Sequence, residues 1–430
     1  ANRLCTVFNR EIPVSLIFSN PTLSALANAL AGQAQQKLAL KANTFNQMDK
    51  DIAEFSETLL PNNNLNMGVI SSVLLTGATG FIGAQLLKQL LDTQVNEIIC
   101  PVRADDETLG LQRLEKAFNV QKLSGFDKNR IKVLCLDLSH PLLGLSESEF
   151  VALANSIHCI FHNAAQTSVM RDYHSLRASN VLPTAHLLRL ASIKGIPFNQ
   201  VSTIAVADNE SLDEKFIGSH NGLKDGYQQS KWVSEALVEI AQNNGYPVNV
   251  YRLGRVTGDL SNGYINSKDL VWSIIRAGLN NQVLPKIDVQ EPWTPVDLIS
   301  EFIIAHGINL PGEGVFNLTP QHQVKIAEIF AWLKTLSFDF QLVDLSTWCE
   351  HIKAKGSDQD LTILSFFEQN TANNSVDNEV HIASYINDKF LSTSSDLQLR
   401  LPKIDKEIFF RYLEYAIENK LISLPKLDLS

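Results

Sequence analysis

A tyrosine and a lysine stand four residues apart in the segment DGYQQSKWVSEAL, which runs from residue 225 to residue 237. Positions i and i+4 of an α-helix share a face, so Tyr227 and Lys231 would project toward the same neighbour. A phenol with an ordinary pKa of about 10 exchanges protons poorly near neutrality, and a nearby ammonium lowers that pKa. The spacing therefore predicts a proton-transfer pair.

A hydroxyl group at the end of the preceding strand would complete such a site. The segment QVSTIAV offers Ser202 and Thr203, and side chains alternate along a strand, so only one of the two can join the pair. A tyrosine four residues from a lysine also occurs by chance, as a packed ring beside a solvated amine. The strands and helices predicted around these residues are therefore needed to discriminate between a catalytic pair and a chance pair.

Short apolar runs alternate with helical patterns from about Val69 onward, among them SVLLT, EIICPV, IKVLCLDL, CIFHNAA, FNQVSTIAV and VNVYRLG. Alternating strands and helices indicate a parallel sheet, and strands that are apolar nearly throughout indicate a sheet covered on both faces. The alternation weakens after about Gly258. The sequence predicts an α/β, Rossmann-like, doubly wound parallel sheet with a smaller, mostly helical C-terminal lobe.

The segment VLLTGATGFIG places Gly77, Gly80 and Gly83 between the first strand and a helix. This spacing is a variant of the dinucleotide-binding fingerprint, in which glycines permit a tight turn, close approach of the pyrophosphate and helix packing. An acidic residue after the second strand would favour NAD, whereas this chain has Arg103 there, with Arg113 further on. The pattern predicts NADPH as the cofactor, although Arg113 is equally compatible with a solvated helix charge.

Two further strand ends are candidate cofactor contacts. Asp137 follows the third strand, where its carboxylate could reach the adenine amino group or cap the next turn. Asn163, Ala164 and Ala165 follow the fourth strand. Their small side chains would accept a flat cofactor, and plain tight packing explains the two alanines equally well.

The motifs TGATGFIG, HNAA, VST and Y-x-x-x-K resemble those of the extended short-chain dehydrogenase/reductase superfamily. Longer stretches, among them VRADDETLGLQRL, LDLSHPLLGLSESEF, YRLGRVTGD and TPVDLIS, resemble the terminal thioester reductase domains of nonribosomal peptide and polyketide synthetases. Carboxylic acid reductases and α-aminoadipate reductase carry similar domains. The likeness covers nearly everything from Val69 to about Leu318.

This resemblance implies that Thr203 is the triad hydroxyl, with Ser202 as the second choice. It implies that Tyr227 donates a proton and that Lys231 is its electrostatic and ribose-binding partner. Asn180 matches the asparagine near the superfamily's active site, but Pro183 stands where a glycine is usual, so the local backbone is expected to differ. The predicted cofactor-binding residues are Gly77, Thr79, Gly80, Phe81, Ile82, Gly83, Arg103, Arg113, Asp137, Leu138, Asn163, Ala164, Ala165 and Lys231.

The N-terminal stretch is similar to the last part of a carrier-protein domain, beginning after the place of the serine that takes phosphopantetheine. Together with the absence of a starting methionine, this predicts that the chain was excised from a larger synthetase. Residues 1–32 are interpreted as the carrier remnant, 33–68 as a linker with one helix in it, 69–262 as the NADPH-binding Rossmann domain and 263–430 as the C-terminal substrate-binding subdomain, with strand contributions back to the core.

Composition narrows the class of protein. The net charge of −10 disfavours binding to nucleic acid, and the chain has no apolar run of the roughly 18 residues that a membrane span needs. Five scattered cysteines without a C-x-x-C pair indicate a reducing compartment and neither disulfides nor a zinc site. The sequence predicts a cytoplasmic protein without a metal, a membrane partner or a nucleic-acid partner.

The resulting hypothesis is reductive release of an acyl or peptidyl thioester from the phosphopantetheine arm of a carrier protein, with NADPH, to an aldehyde. Further reduction to the alcohol would use the same residues and stays open. Two alternatives also remain: an extended epimerase or dehydratase of the same superfamily acting on a nucleotide sugar, and a non-catalytic dinucleotide-binding sensor or docking module.

Overall fold

The computed structural model describes residues 26–27, 30, 36–62, 68–168, 170–207, 211–357, 360–361, 363–364, 367 and 384–422. The predicted carrier remnant, residues 1–32, lies outside this part of the chain except for three positions. That interpretation therefore stays a prediction.

The chain divides into two compact units. The first comprises Ala1–Leu253, Ser300–Leu318 and Ile382–Leu397, and the second comprises Gly254–Ile299, Thr319–His381 and Gln398–Ser430. The sequence analysis placed a boundary after residue 262. The observed boundary falls between Leu253 and Gly254, and two later segments, Ser300–Leu318 and Ile382–Leu397, belong to the first unit.

A seven-stranded parallel sheet forms the centre of the first unit. Its strands, in the order in which they lie side by side, are β12 (Gly314–Leu318), β7 (Val248–Leu253), β5 (Phe198–Thr203), β4 (Cys159–His162), β1 (Ser72–Thr76), β2 (Glu97–Val102) and β3 (Ile131–Cys135). The strand order reverses between β1 and β4, whose last residues Thr76 and His162 lie side by side. In open sheets of this kind, ligands bind at such a switch point, outside the carboxyl ends of the strands. The predicted Rossmann-like fold is confirmed.

Helices precede, connect and follow the strands of this sheet. They are α1 (Gln36–Thr58), α2 (Phe81–Asp92), α3 (Glu107–Val120), α4 (Glu147–Ser156), α5 (Tyr173–Leu176), α6 (Leu182–Ser192), α7 (Gly226–Asn243), α9 (Val296–Asn309, which the division crosses) and α12 (Asp388–Asp396). Two short strands, β6 (Ser211–Leu212) and β15 (Ser384–Tyr385), pair in parallel.

Local sequence accounts for where helices α3 and α7 begin. Asp106 caps α3 by accepting a hydrogen bond from the backbone of Leu109, and Asp225 caps α7 in the same way from Gln228. Such caps satisfy backbone N–H groups that have no partner within the helix. The Asp225 cap fixes where α7 starts, and therefore where Tyr227 lies.

The second unit has its own hydrophobic core, which includes Trp272, Trp293, Trp348 and Phe409. Its elements are β8 (Arg255–Thr257), α8 (Leu270–Asn281), β9 (Val283–Pro285), β10 (Gln290–Glu291), β11 (Trp293–Pro295), β13 (Val324–Lys325), α10 (Ile326–Thr335), β14 (Gln341–Val343), α11 (Leu345–Lys355) and α13 (Lys406–Glu418). Within the described part of the chain, none of the helices combines the length and the apolar character required to cross a membrane.

Candidate active site

The glycine loop between β1 and α2 has two positions at which no side chain fits. Gly77 has a φ of +73°, and a Cβ atom there would lie 2.8 Å from the backbone nitrogen of Ala164. At Gly83 a Cβ atom would lie 1.9 Å from the carbonyl oxygen of Gly77. The loop is therefore packed against the end of β4 and against its own helix. Without side chains at these positions, a phosphate group can approach the backbone at the N-terminus of α2, which attracts anions.

Helix α2 begins directly after a glycine. Gly80 is the N-cap residue and makes no side-chain capping bond. Phe81 and Ile82, the first residues of α2, are half-buried, as is Thr79 in the loop. These positions fit a bound pyrophosphate.

A buried histidine beneath this loop was missed by the sequence analysis, although it stands in the HNAA motif. His162 Nδ1 lies 2.8 Å from the Thr76 hydroxyl, and Nε2 lies 3.2 Å from the Thr184 hydroxyl. The Thr184 hydroxyl donates to the carbonyl of Asn180, so Nε2 carries the proton that Thr184 accepts. Burial, together with the positive charge of Lys231, lowers the pKa of His162 to about 3, so the ring is neutral.

The same threonine fixes the segment that follows β4. Thr76 Oγ1 accepts hydrogen bonds from the backbone N–H groups of Asn163, at 3.1 Å, and Ala164, at 3.0 Å. The Asn163 side chain donates to the carbonyl of Gly77 at 3.4 Å. Two predicted cofactor-binding segments, the glycine loop and the segment 163–165, are therefore held together at the switch point.

The predicted 2'-phosphate residues line a pocket of about 360 Å³ at the end of β2. Arg103 and Arg113 both contribute to it, and the guanidinium group of Arg113 donates to the carbonyl of Arg103. Lys116, one turn further along α3, also lines the pocket and was missed by the sequence analysis. The pocket thus brings three cations together, which suits a phosphate group.

Asp137 lies near this pocket. Its carboxylate accepts the backbone N–H of Ser139 at 3.0 Å, and this bond, together with the positive charge of Arg103, holds the pKa of Asp137 below its ordinary value. The capping role is therefore present in the structure. Leu138, the next residue, packs its side chain against the core of the first unit.

Thr203 and Tyr227 lie close together at the end of β5 and the start of α7, where their side chains interact. Ser202 points away from them, and its hydroxyl donates to the Glu235 carboxylate. Glu235 forms a buried ion pair with Arg252 at 2.6 Å. The structure thus leaves Thr203, and not Ser202, beside the tyrosine, because Ser202 is bonded to an ion pair that the sequence analysis did not foresee.

Lys231 is 5% exposed and donates a hydrogen bond to the carbonyl of Val201 at 2.6 Å. Burial lowers the pKa of Lys231 to about 8, and the negative charge of Glu235 opposes that shift. Lys231 therefore remains mostly protonated at neutral pH.

The expected lowering of the tyrosine pKa is wrong for this structure. Burial raises the pKa of Tyr227 to about 12, while the nearby Thr203 hydroxyl opposes this rise and the negative charge of Asp225 adds to it. Burial dominates because a phenolate loses its hydration there. Tyr227 is a protonated phenol at neutral pH, which is the form that a proton donor needs.

The backbone around Asn180 departs from a regular helix, as the sequence analysis expected from Pro183. Residues Arg177–Val181 form a π-helical turn directly before α6. Asn180 is 2% exposed, and its side chain donates to the Ser230 hydroxyl at 2.9 Å and to the Gln166 carbonyl at 3.0 Å. Asn180 therefore connects the segment after β4 to helix α7.

Comparison with known proteins agrees with this architecture. The model of the NAD_binding_4 family, described as Male sterility protein, matches residues 75–303, more than half of the chain. The solved structure of the terminal R domain from the myxalamid PKS-NRPS biosynthetic pathway is 30% identical, with a TM-score of 0.79 over 88% of this chain and 99% of that one. The chain belongs to the terminal reductase (R) domains of nonribosomal peptide and polyketide synthetases. This is a family of oxidoreductases with an NAD(P)-binding Rossmann fold.

Two further relatives place this reductase domain in a longer context. The isonitrile lipopeptide synthase of Streptomyces coeruleorubidus is 33% identical over 99% of this chain, which spans only 30% of that protein. A thiolation-reductase di-domain from an archaeal non-ribosomal peptide synthetase has a TM-score of 0.72 over 98% of this chain and 90% of that one. It is 20% identical and shows the shared fold alone.

Proposed function

We propose that this reductase domain releases an acyl or peptidyl chain from a carrier protein by reducing its thioester to an aldehyde with NADPH. The observation that supports the proposal is that Thr203 lies beside Tyr227, and that Lys231, one turn further along α7, donates to Val201 of the same strand as Thr203. A protonated phenol next to a second hydroxyl suits a carbonyl oxygen that gains negative charge. Sequence similarity to a synthase and to R domains supports a carrier-bound substrate.

The glycine loop and the pocket at the end of β2 fit NADPH. Gly77 and Gly83 let the loop pack tightly against the end of β4 and against its own helix, and Arg103, Arg113 and Lys116 suit the 2'-phosphate. When bound, NADPH supplies a hydride to the carbonyl carbon of the thioester.

Thr203 and Tyr227 donate hydrogen bonds to the carbonyl oxygen as its negative charge develops, which stabilises the transition state more than the substrate. Tyr227 then transfers its proton to that oxygen, giving a hemithioacetal. The hemithioacetal collapses to the aldehyde and the free thiol of the pantetheine arm. Lys231 stabilises the phenolate that Tyr227 leaves, by its positive charge.

The test is consumption of NADPH by the purified chain with an acyl-pantetheine thioester and with the same acyl group on a carrier protein. Aldehyde trapped as an adduct, in an amount equal to the thiol released, is the expected result. Tightly retained NAD together with conversion of a nucleotide sugar would instead support the epimerase alternative. NADPH binding without turnover of any thioester would support a sensor.

We expect Arg103→Gln to weaken NADPH binding by about tenfold to a hundredfold, because a hydrogen bond to a charged group contributes about 1.5–3 kcal/mol. NADH binding should change less than twofold, since NADH has no 2'-phosphate. The measurement is the KM of both cofactors. Arg189→Gln, which removes an exposed arginine of α6, is the matched control. Equal losses for NADH and NADPH would contradict the assignment.

The rate of reduction should fall as pH rises above about 8, where Lys231 loses its proton. The sign follows from the charge, because the ammonium form stabilises the phenolate and is present only below that pKa. Tyr227, with a pKa raised to about 12, stays protonated over the same range, so its titration does not change the rate there. A pH profile of kcat measures this, and a rate that stays flat to about pH 10 would contradict it.

A further inference from the structure

Helix α1 lies in the segment that the sequence analysis interpreted as a linker, yet its side chains belong to the core of the first unit. Met48 and Phe55 are 1% and 4% exposed, and Leu59 just beyond the helix is 5% exposed. These three residues join the same hydrophobic cluster as Trp232 and Leu237 of the catalytic helix α7. Helix α1 is therefore packed as part of the reductase fold.

The carboxylate of Asp51 is buried on this helix and fully engaged. It accepts the Tyr173 hydroxyl at 2.6 Å, the Arg177 Nε at 2.7 Å and the Arg177 Nη2 at 2.6 Å. Gln47, one turn earlier, also donates to it at 2.9 Å. Burial raises the pKa of Asp51, but the hydrogen bonds from Arg177 and Tyr173 lower it by more than burial raises it. The net pKa lies below its ordinary value, so the group is ionised at neutral pH.

The segment that Asp51 holds meets the first turn of α7. A Cβ atom at Gly226 would lie 2.2 Å from the carbonyl carbon of Asp172 and 2.5 Å from the backbone nitrogen of Tyr173. Further along the same segment, Asn180 donates to Ser230 of α7 at 2.9 Å. Residues 172–180 thus lie between Asp51 on one helix and the residues next to Tyr227 on another.

We infer that Asp51 is a positioning residue for Tyr227. Its bonds to Tyr173 and Arg177 set the backbone against which Gly226 packs, and Gly226 directly precedes the tyrosine. The inference rests on the proposed reductase function for its kinetic readout, and on the structure alone for its exchange readout. Segment 172–180 reaches the glycine loop through three successive bonds, from Asn180 to Thr184, from Thr184 to His162 and from His162 to Thr76, whereas it packs directly against Gly226. Asp51 should therefore affect turnover much more than cofactor affinity.

The experiment compares Asp51→Asn with Asp49→Asn, which makes the same change at an exposed position of the same helix. We expect Asp51→Asn to lower kcat about tenfold, because an error of about 1 Å in a catalytic group costs up to about a hundredfold. The KM for NADPH should change less than twofold. Tyr173→Phe keeps the ring and removes one of the hydrogen bonds to Asp51. It should lower kcat about threefold, less than Asp51→Asn, because the bonds to Arg177 remain and the backbone shift is smaller.

Amide hydrogen exchange of residues 229–233, the first hydrogen-bonded turn of α7, provides the second readout. It should be about tenfold faster in Asp51→Asn than in the control, while exchange in β1 stays unchanged, since opening is local. If the wild-type protein turns over no thioester, the proposed function is wrong. The hydrogen-exchange measurement alone then tests the role of Asp51. Unchanged exchange and kcat, or equal acceleration in β1 and α7, would overturn the inference.

Discussion

Tyr227→Phe should lower the kcat for thioester reduction about a thousandfold, because general acid catalysis contributes about 10²–10⁴-fold. The ring stays, so packing at the start of α7 is preserved. The phenolic hydroxyl beside Thr203 is lost. The dissociation constant of NADPH should change less than twofold. The measurement is single-turnover reduction of an acyl-pantetheine, together with fluorescence titration of NADPH.

The matched control is Tyr246→Phe, which removes a phenolic hydroxyl just beyond the other end of α7. That hydroxyl donates to the carbonyl of Leu60 at 3.0 Å. We expect kcat to stay within about twofold, since general acid catalysis is not involved there. Full activity of Tyr227→Phe would show that another group protonates the substrate. The role assigned to this tyrosine would then be wrong.

Gly83→Ala should abolish measurable NADPH binding and also destabilise the fold. The new Cβ atom would lie 1.9 Å from the Gly77 carbonyl oxygen and 2.8 Å from the Ala78 Cα atom. Both atoms belong to the backbone of the loop that would cradle the pyrophosphate, so relief of the clash must move that loop. Overpacking of this kind costs about 1–3 kcal/mol of stability.

Gly218→Ala is the matched control, because no heavy atom lies within 4 Å of the added Cβ atom. We expect its free energy of unfolding and its NADPH affinity to match those of the wild type. Denaturant unfolding and cofactor titration measure both properties. An intact NADPH affinity in Gly83→Ala would show that the pyrophosphate does not use this loop.

The choice between Ser202 and Thr203 shows where sequence reasoning stopped. Alternation along a strand established that only one of them faces the tyrosine, but it did not establish which one. The structure agrees with Thr203, because the Ser202 hydroxyl donates to Glu235, 33 residues further along the chain, and Glu235 is in turn paired with Arg252. A buried ion pair between distant residues leaves no local pattern in the sequence.

The pKa of Tyr227 shows the same limit for electrostatics. Its spacing from Lys231 correctly placed the two groups on one helix, and suggested a lowered pKa. Burial reverses the shift, and burial depends on β5 and α7 together and not on the spacing of two residues. The neutral state of His162 is likewise set by its enclosure at the end of β4.

The sequence by itself determined the Rossmann-like fold, the glycine loop and the reductase domain family, because each depends on residue types at short, fixed spacing. Tertiary structure alone decided that Ser202 is bonded to a buried ion pair, that His162 is neutral, and that Asp51 reaches Tyr173 across 122 residues of chain. Local rules of backbone geometry and periodicity act over a few residues. Burial and ion pairing between distant segments depend on how the whole chain packs.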